Sequence, residues 1–210
     1  MSTSVQPAAA TDPIAPLRIF VTDMTRLVER TDDEPTLLAQ GRALLARLIA
    51  DDRWLPDEFA QPAPDTYRQY LLHCDPLERF SVVSFVWGPG QRTPVHDHTV
   101  WGLVGVLRGA ERCTEYAPQG DLVQACGKEH ILRAGMIEAV SPTVGDWHLV
   151  ANALEDRASV SIHVYGANIG AVRRHRLDDA GRIVDFVSGY SSARLPNLWD
   201  RSADVRAGRS

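Results

Sequence analysis

A chain of 210 residues with 44% hydrophobic and 23% charged content is long enough to close one sizeable core, since chains of this size bury on the order of 70% of their unfolded surface. A formal net charge of −5 gives no sign of a nucleic-acid partner, and no run approaches the roughly 18 to 20 apolar residues of a membrane span. Three cysteines without repeated spacing argue against a disulfide framework and predict a reducing, cytoplasmic setting.

In chain order, residues 1–13 lack the basic region and apolar stretch of a secretory signal and are expected to be disordered. A single domain is expected over residues 14–200. Its front is helical, over about residues 14–51. Leu17, Ile19, Phe20, Met24, Leu27 and Val28 recur at helical spacing between Ile14 and Arg30. Leu37, Leu38, Leu44, Leu45 and Leu48 do so between Glu34 and Ile49, where Pro35 suits a first turn. DDRWLP ends the second helix, and TYRQYLLH is a further short element of no clear period. From about residue 77 to residue 190 the chain becomes short β-branched runs separated by Gly, Pro and Asp turns: FSVVSFVW, VWGLVGVL, ERCTEYA, MIEAV and ASVSIHVY. The fold class this predicts is mainly β, a small barrel or jelly roll with the N-terminal helices packed outside. RHRLDDAGRIVDF reads as a closing hairpin, and residues 201–210 as a mobile tail. No internal repeat or linker divides the chain.

Candidate chemistry concentrates in three strings. In GQRTPVHDHTVWGLVGVLRG, His96 and His98 alternate with Asp97, so on a strand both imidazoles face one side and form a ready pair of metal ligands. Downstream, GDWHLVAN carries His148. In SVSIHVYG, Ser159, Ser161, His163 and Tyr165 alternate with Val160, Ile162 and Val164, which puts the polar set on one face. Each has a plain alternative: a histidine hydrogen-bonded within a core, or an amphipathic strand whose polar face meets water.

The first string resembles the first signature motif of the cupin superfamily, and the second resembles the motif whose histidine completes a cupin metal site. The Glu ligand usual in cupins is absent, since Gly102 and Leu103 stand in its place. With the third string, whose Ser161, His163 and Tyr165 resemble a Ser-His-Tyr relay, the chain is similar to the thiol dioxygenases of the cysteine dioxygenase family over approximately residues 15–190. The resemblance implies a cupin (double-stranded β-helix) barrel and iron(II) held by His96, His98 and His148, and it implies oxidation of a small thiol carboxylate by dioxygen to the sulfinate.

Two departures from the cysteine-specific members stand out. No cysteine occupies the stretch VWGLVG after the His pair, so a thioether crosslink to Tyr165 is unavailable, and Cys74, Cys113 and Cys126 read as ordinary buried thiols. Gln69 stands where those members carry an Arg that pairs with the substrate carboxylate, and an amide cannot make that charge-assisted fork. Resemblance to the bacterial 3-mercaptopropionate dioxygenases makes Arg174 the candidate cation, with Arg68, Arg173 and Arg176 as alternatives. It also puts 3-mercaptopropionate first and L-cysteine second as substrate. Two other readings remain open at this level: a cupin isomerase with another metal such as zinc or manganese, and a noncatalytic ligand-sensing cupin. The sequence leaves oligomeric state open.

Overall fold

A computed structural model describes residues 12–120, 122–196 and 198. The expectations for the start of the chain and for the tail fall largely outside these residues, although Asp12 is described and accepts from Arg18 Nη2 at 2.6 Å.

Two helices lead, α1 (Ala15–Arg30) and α2 (Glu34–Leu48). α2 starts where Asp33 accepts from Thr36 N at 3.0 Å, with Pro35 in the first turn, a cap that satisfies one of the amides left orphaned at a helix start. α1 buries Leu17, Phe20, Val21, Met24 and Leu27, and turns Ile19 outward at 60% exposure.

Among the described residues ten strands follow: β1 (Arg68–Cys74), β2 (Ser81–Trp87), β3 (Gly102–Arg108), β4 (Ala110–Gln119), β5 (Leu122–Arg133), β6 (Ile137–Val140), β7 (His148–Asn152), β8 (Ser159–Tyr165), β9 (Arg174–Leu177) and β10 (Ile183–Phe186). The architecture is the expected mainly β, double-stranded β-helix barrel with its helices outside. One sheet runs β1-β2-β8-β3-β6, antiparallel throughout. The other holds β5-β4-β7 and the β9-β10 hairpin. Isolated bridges from Arg92 to Ala151 and from His96 to both His148 and Arg176 stitch these two parts together. Strand pairing therefore starts at Arg68, ahead of the expected beginning near residue 77, because TYRQYLLH supplies the edge strand β1. Neither face of that strand is cleanly apolar, which is why it has no readable period.

β8 shows how the layers are sorted. All seven of its residues are buried. Val160, Ile162 and Val164 join the apolar layer beneath the helices, together with Val82, Val86, Leu103 and Leu107. The alternate residues point into the barrel, where Tyr165 packs with Val83, Phe85, Trp87, Val140 and Val150. The polar face of SVSIHVY is thus interior, not solvated, and its hydroxyls, imidazole and phenol must find partners inside the protein.

The helices sit close because β3 offers glycine. A Cβ on Gly105 would lie 3.0 Å from side-chain atoms of Leu45 and Ile49, and one on Gly41 would lie 3.0 Å from Leu103 Cδ1. Leu45 is fully buried at this seam. Leu45→Ala should cost about 2 to 5 kcal/mol, the range for emptying a packed leucine site. Urea unfolding would measure it, and the cavity chemistry should be unchanged in the folded variant.

Candidate metal centre and its cavity

The backbone brings the first two strings together. His96 N donates to His148 O at 3.0 Å and His148 N returns the bond to His96 O at 3.0 Å, the reciprocal pair of an antiparallel ladder. The imidazoles of His96, His98 and His148 converge with ring centroids 4.8–4.9 Å apart, and one nitrogen from each lies within 4.8 Å of the others. His98 and His148 are buried, while His96 edges the cavity described below.

Hydrogen bonds assign the nitrogens. His96 Nδ1 is 3.1 Å from the Pro94 carbonyl, which only accepts, so Nδ1 carries the proton and Nε2 a lone pair. His98 Nδ1 is 3.0 Å from Asp146 Oδ1 and is fixed in the same tautomer. Asp146 also accepts from the backbone of His98 at 2.9 Å and of Thr99 at 3.0 Å. These bonds outweigh the upward push of burial and hold its carboxyl below its usual value. They also hold Thr99 in a left-handed conformation, φ 59°, which for a β-branched residue is strained. His148 Nδ1 contacts Cys113 Sγ at 3.5 Å.

Burial, and then the neighbouring imidazoles, push His148 well below its usual pKa, and His96 to about 3. His96 and His148 are thus neutral donors at ordinary pH, the form a divalent metal requires. The donor set fits iron(II), zinc or another borderline divalent cation. With three imidazoles and no carboxylate, the set leaves both the metal's charge and some coordination positions for an exogenous ligand.

The expected relay is a continuous chain. Ser161 Oγ lies 2.8 Å from His163 Nε2, and His163 Nδ1 lies 2.8 Å from Tyr165 OH. Phe85 stacks on His163 at 4.1 Å, and Tyr165 stacks on His98 at 5.4 Å. The chain therefore ends beside the imidazole cluster. A Cβ on Gly102 would fall 2.7 Å from Tyr165 Cδ1; the phenol ring lies over the spot where a side chain would begin.

A cavity of about 320 Å³ opens onto His96. Arg174 and Gln69, both buried, line it with Tyr67, Arg176 and Phe186. Arg174 is the distinctive member. Its Nη2 donates to Ser188 Oγ at 2.6 Å, its Cζ stands 4.7 Å from the Phe186 ring centroid, and its buried Nε has no partner. Burial pushes this guanidinium below its usual pKa, the mark of a desolvated cation. Gln69 Nε2 donates to the Gly189 carbonyl. Arg68 pairs with Asp65 at 2.9 Å, and the exposed Arg173 with Asp185 at 3.1 Å.

Several contributors were not read from the sequence. Asp97, between the two histidines, faces the other way and grips β9: its carboxylate accepts from His175 N and meets His175 Nδ1, both at 2.7 Å. Cys113 is buried against His148, whereas Cys126 is exposed, so the cysteines are not uniformly buried thiols. Cys113 also belongs to a second donor group with His130 and Glu138, in which His130 Nε2 already meets Glu138 at 3.0 Å. Glu111 is fully buried next to the relay, and burial pushes its carboxyl up from 4.5 to about 7. Only a residue like Asp97, inside a motif, carried a signal in the sequence; Cys113 and Glu111 acquire their places by tertiary contact.

The family model described as cysteine dioxygenase type I matches residues 53–177 of the chain, over half its length. Among solved structures, a double-stranded β-helix protein from Klebsiella pneumoniae is 22% identical, with 54% of this chain and 89% of that one covered at a TM-score of 0.42. An acetylacetone dioxygenase from Acinetobacter johnsonii is 18% identical over 64% of this chain and 83% of its own, with a TM-score of 0.43. A cupin 2 conserved barrel protein from Salinispora arenicola is 18% identical over 54% and 86%, with a TM-score of 0.40.

Two outcomes follow from this geometry. Replacing His96, His98 or His148 by Ala should abolish stoichiometric uptake of a divalent metal, and Asp146→Asn should weaken it ~10- to 100-fold by releasing the His98 tautomer. Metal analysis after dialysis reads both; full retention by any of the three Ala variants would remove that residue from the donor set. Glu111 should shape stability against pH. Its folded-state pKa is raised, so its contribution is whole below about 4.5 and declines as pH rises through about 7, at a cost on the order of 3 kcal/mol once ionised. Glu111→Gln should therefore gain on the parent protein in urea unfolding between about pH 5 and pH 8.

Proposed function

Because the chain belongs to the cysteine dioxygenase type I family, we propose that it is a non-heme iron(II) thiol dioxygenase that oxidises a small thiol carboxylate with dioxygen to the corresponding sulfinate, with 3-mercaptopropionate preferred and L-cysteine second. The observation that carries this reading is the cavity that puts His96 and a buried, under-partnered Arg174 on one wall system beside the neutral Gln69.

Iron(II), held through Nε2 of His96, His98 and His148, would supply the Lewis acidity that favours the substrate thiolate and the redox chemistry that activates dioxygen. The chain's own residues do the rest. Arg174 receives the carboxylate: its unpaired Nε and its Nη2 present adjacent N–H groups, and a desolvated guanidinium without a carboxylate partner binds an anion more strongly than one in water. Phe186 under the guanidinium keeps its plane fixed. A carboxylate at Arg174 leaves the thiol of a short chain facing His96. Tyr165 is held above its usual pKa, chiefly by burial, and so stays a neutral phenol that donates a hydrogen bond to the reacting atoms. His163 and Ser161 orient it. Gly102 leaves the ring uncrosslinked and free to make that bond. Gln69, tied to Gly189, shapes the wall without adding charge. A reducing cytoplasm suits both the substrate thiol and the free cysteines of the chain.

Oxygen consumption by iron-loaded protein, with 3-mercaptopropionate, L-cysteine and cysteamine compared side by side, tests the reading; no uptake with any thiol would overturn it. Arg174→Ala should reduce kcat/KM for 3-mercaptopropionate by roughly 30- to 1000-fold, the loss of about 2 to 4 kcal/mol from a charge-assisted contact, and should barely change the rate with cysteamine, which has no carboxylate. Tyr165→Phe should keep iron and lower turnover by about 10- to 100-fold.

A further inference from the structure

Glu111 on β4 is a fully buried carboxylic acid for which the reaction above has no use. Its Oε1 lies 3.5 Å from Ser159 Oγ, hydrogen bonding from Ser161 and the Trp87 indole pulls its carboxyl down against the larger upward push of burial, the indole Nε1 also donates to Ser161 Oγ at 3.5 Å, and its Oε2 has no partner. β8 presents Ser159 and Ser161, with His163 and Tyr165 farther along, and β2 presents Trp87. Cys113 of its own strand and Tyr165 both feel its charge. Leu132 of β5 and Asn152 of β7 are its partners in the ladder, and neither titrates. Among the described residues named here there is no cation, since burial holds His163 neutral. Ser161 is therefore shared between an acid on one side and His163 on the other.

We propose that Glu111 is the fourth member of the Ser161–His163–Tyr165 chain and that its protonation state sets the direction in which the whole chain donates. The inference rests on the reading that Tyr165 serves the metal end of the cavity.

The direction follows from counting protons. When Glu111 is a neutral acid its O–H donates to Ser161. The Ser161 hydroxyl then donates to His163 Nε2, His163 carries its proton on Nδ1 and donates to the Tyr165 oxygen, and the phenol hydrogen is left to point at the cavity. When Glu111 loses its proton to solvent, the carboxylate can only accept. Ser161 donates to it, and His163 must carry its proton on Nε2 to satisfy Ser161. His163 Nδ1 becomes an acceptor that captures the phenol hydrogen. One proton leaves, three hydrogen bonds reverse, and Tyr165 stops donating outward. The alternative for the ionised state is to keep the old tautomer and leave His163 Nε2 without a donor in a buried site, which is costly. With a carboxyl raised to about 7 by burial, both states are reachable at ordinary pH.

The test reads the His163 tautomer by nitrogen-15 NMR in full-length protein loaded with diamagnetic zinc, and the pH profile of turnover in the iron form. In the parent protein His163 should pass from the Nδ1–H to the Nε2–H tautomer as pH rises through about 7, and kcat should fall over the same interval with KM little changed. Glu111→Gln, whose amide always has a hydrogen to donate to Ser161, should hold the Nδ1–H tautomer throughout and remove that limb of the profile. A merely structural Glu111 would leave the tautomer untouched. A His163 tautomer that is constant with pH in the parent protein, or that switches identically in Glu111→Gln, overturns the proposal, and the parent titration decides even if the variant does not fold. The NMR result needs no turnover, so a switching tautomer without thiol oxidation would reject the proposed function and keep this inference, whereas turnover with a fixed tautomer would do the reverse.

Discussion

The pair of backbone hydrogen bonds between His96 and His148 is the constraint on which the site depends. Each residue donates to the other's carbonyl, so the segment around His96 and β7 are locked by this bridge in a register that puts both imidazoles on the same inward face. A slip of one residue would send one ring outward and replace it with Val95 or Trp147. His96 also bridges to Arg176 on its other side, which places Arg174 two residues along the same strand and on the same face. One residue's backbone thus sets the distance between the imidazole cluster and the only cation buried in its cavity among the described residues. Asp97 reinforces this from the opposite face by clamping His175.

The charge balance of the interior is unusual and directs the chemistry. Three imidazoles and the buried Arg174 guanidinium face the site, and the carboxylates of Asp146 and Asp97 are already spent on orienting His98 and His175. Among the described residues that line the cavity there is no carboxylate to neutralise a divalent ion together with Arg174. A ligand bearing two anionic groups a few bonds apart meets both requirements at once, and it offsets the desolvation that each positive centre suffers alone. Gln69 adds no charge of its own to that wall.

How legible this was in the sequence differs by residue and for a physical reason. The Ser161, His163 and Tyr165 series could be read because it belongs to a strand with period two, so local spacing states which side chains share a face; His96, His98 and His148 could be read from their motifs, although His96 and His98 lie between β2 and β3, outside both strands. α1 and α2 could be read because their apolar stripes and the Pro35 of a first turn are local. β1 could not, because an edge strand with one partner carries Arg68, Gln69 and His73 among its leucines and shows no alternation. The choice among four arginines was not decidable from a basic run either. It takes three dimensions to see that Arg173 is spent on Asp185 and Arg68 on Asp65, while Arg174 is drawn inward. Cys113 and Glu111 lie on β4 with no motif around them, and acquire meaning only when β7 and β8 pack across the barrel.

Tyr165 shows how several of these constraints meet in one side chain. Its ring needs the missing Cβ of Gly102 below it, the His98 ring beside it and the His163 nitrogen on its oxygen. A phenol so confined has no freedom to choose partners by rotating; the sole variable left is where its hydrogen points. Rigid packing thereby converts a question of conformation into one of proton position, and proton position is governed along the chain of His163 and Ser161 from the buried acid at its far end. Steric fit and protonation are coupled here because the first removes every alternative to the second.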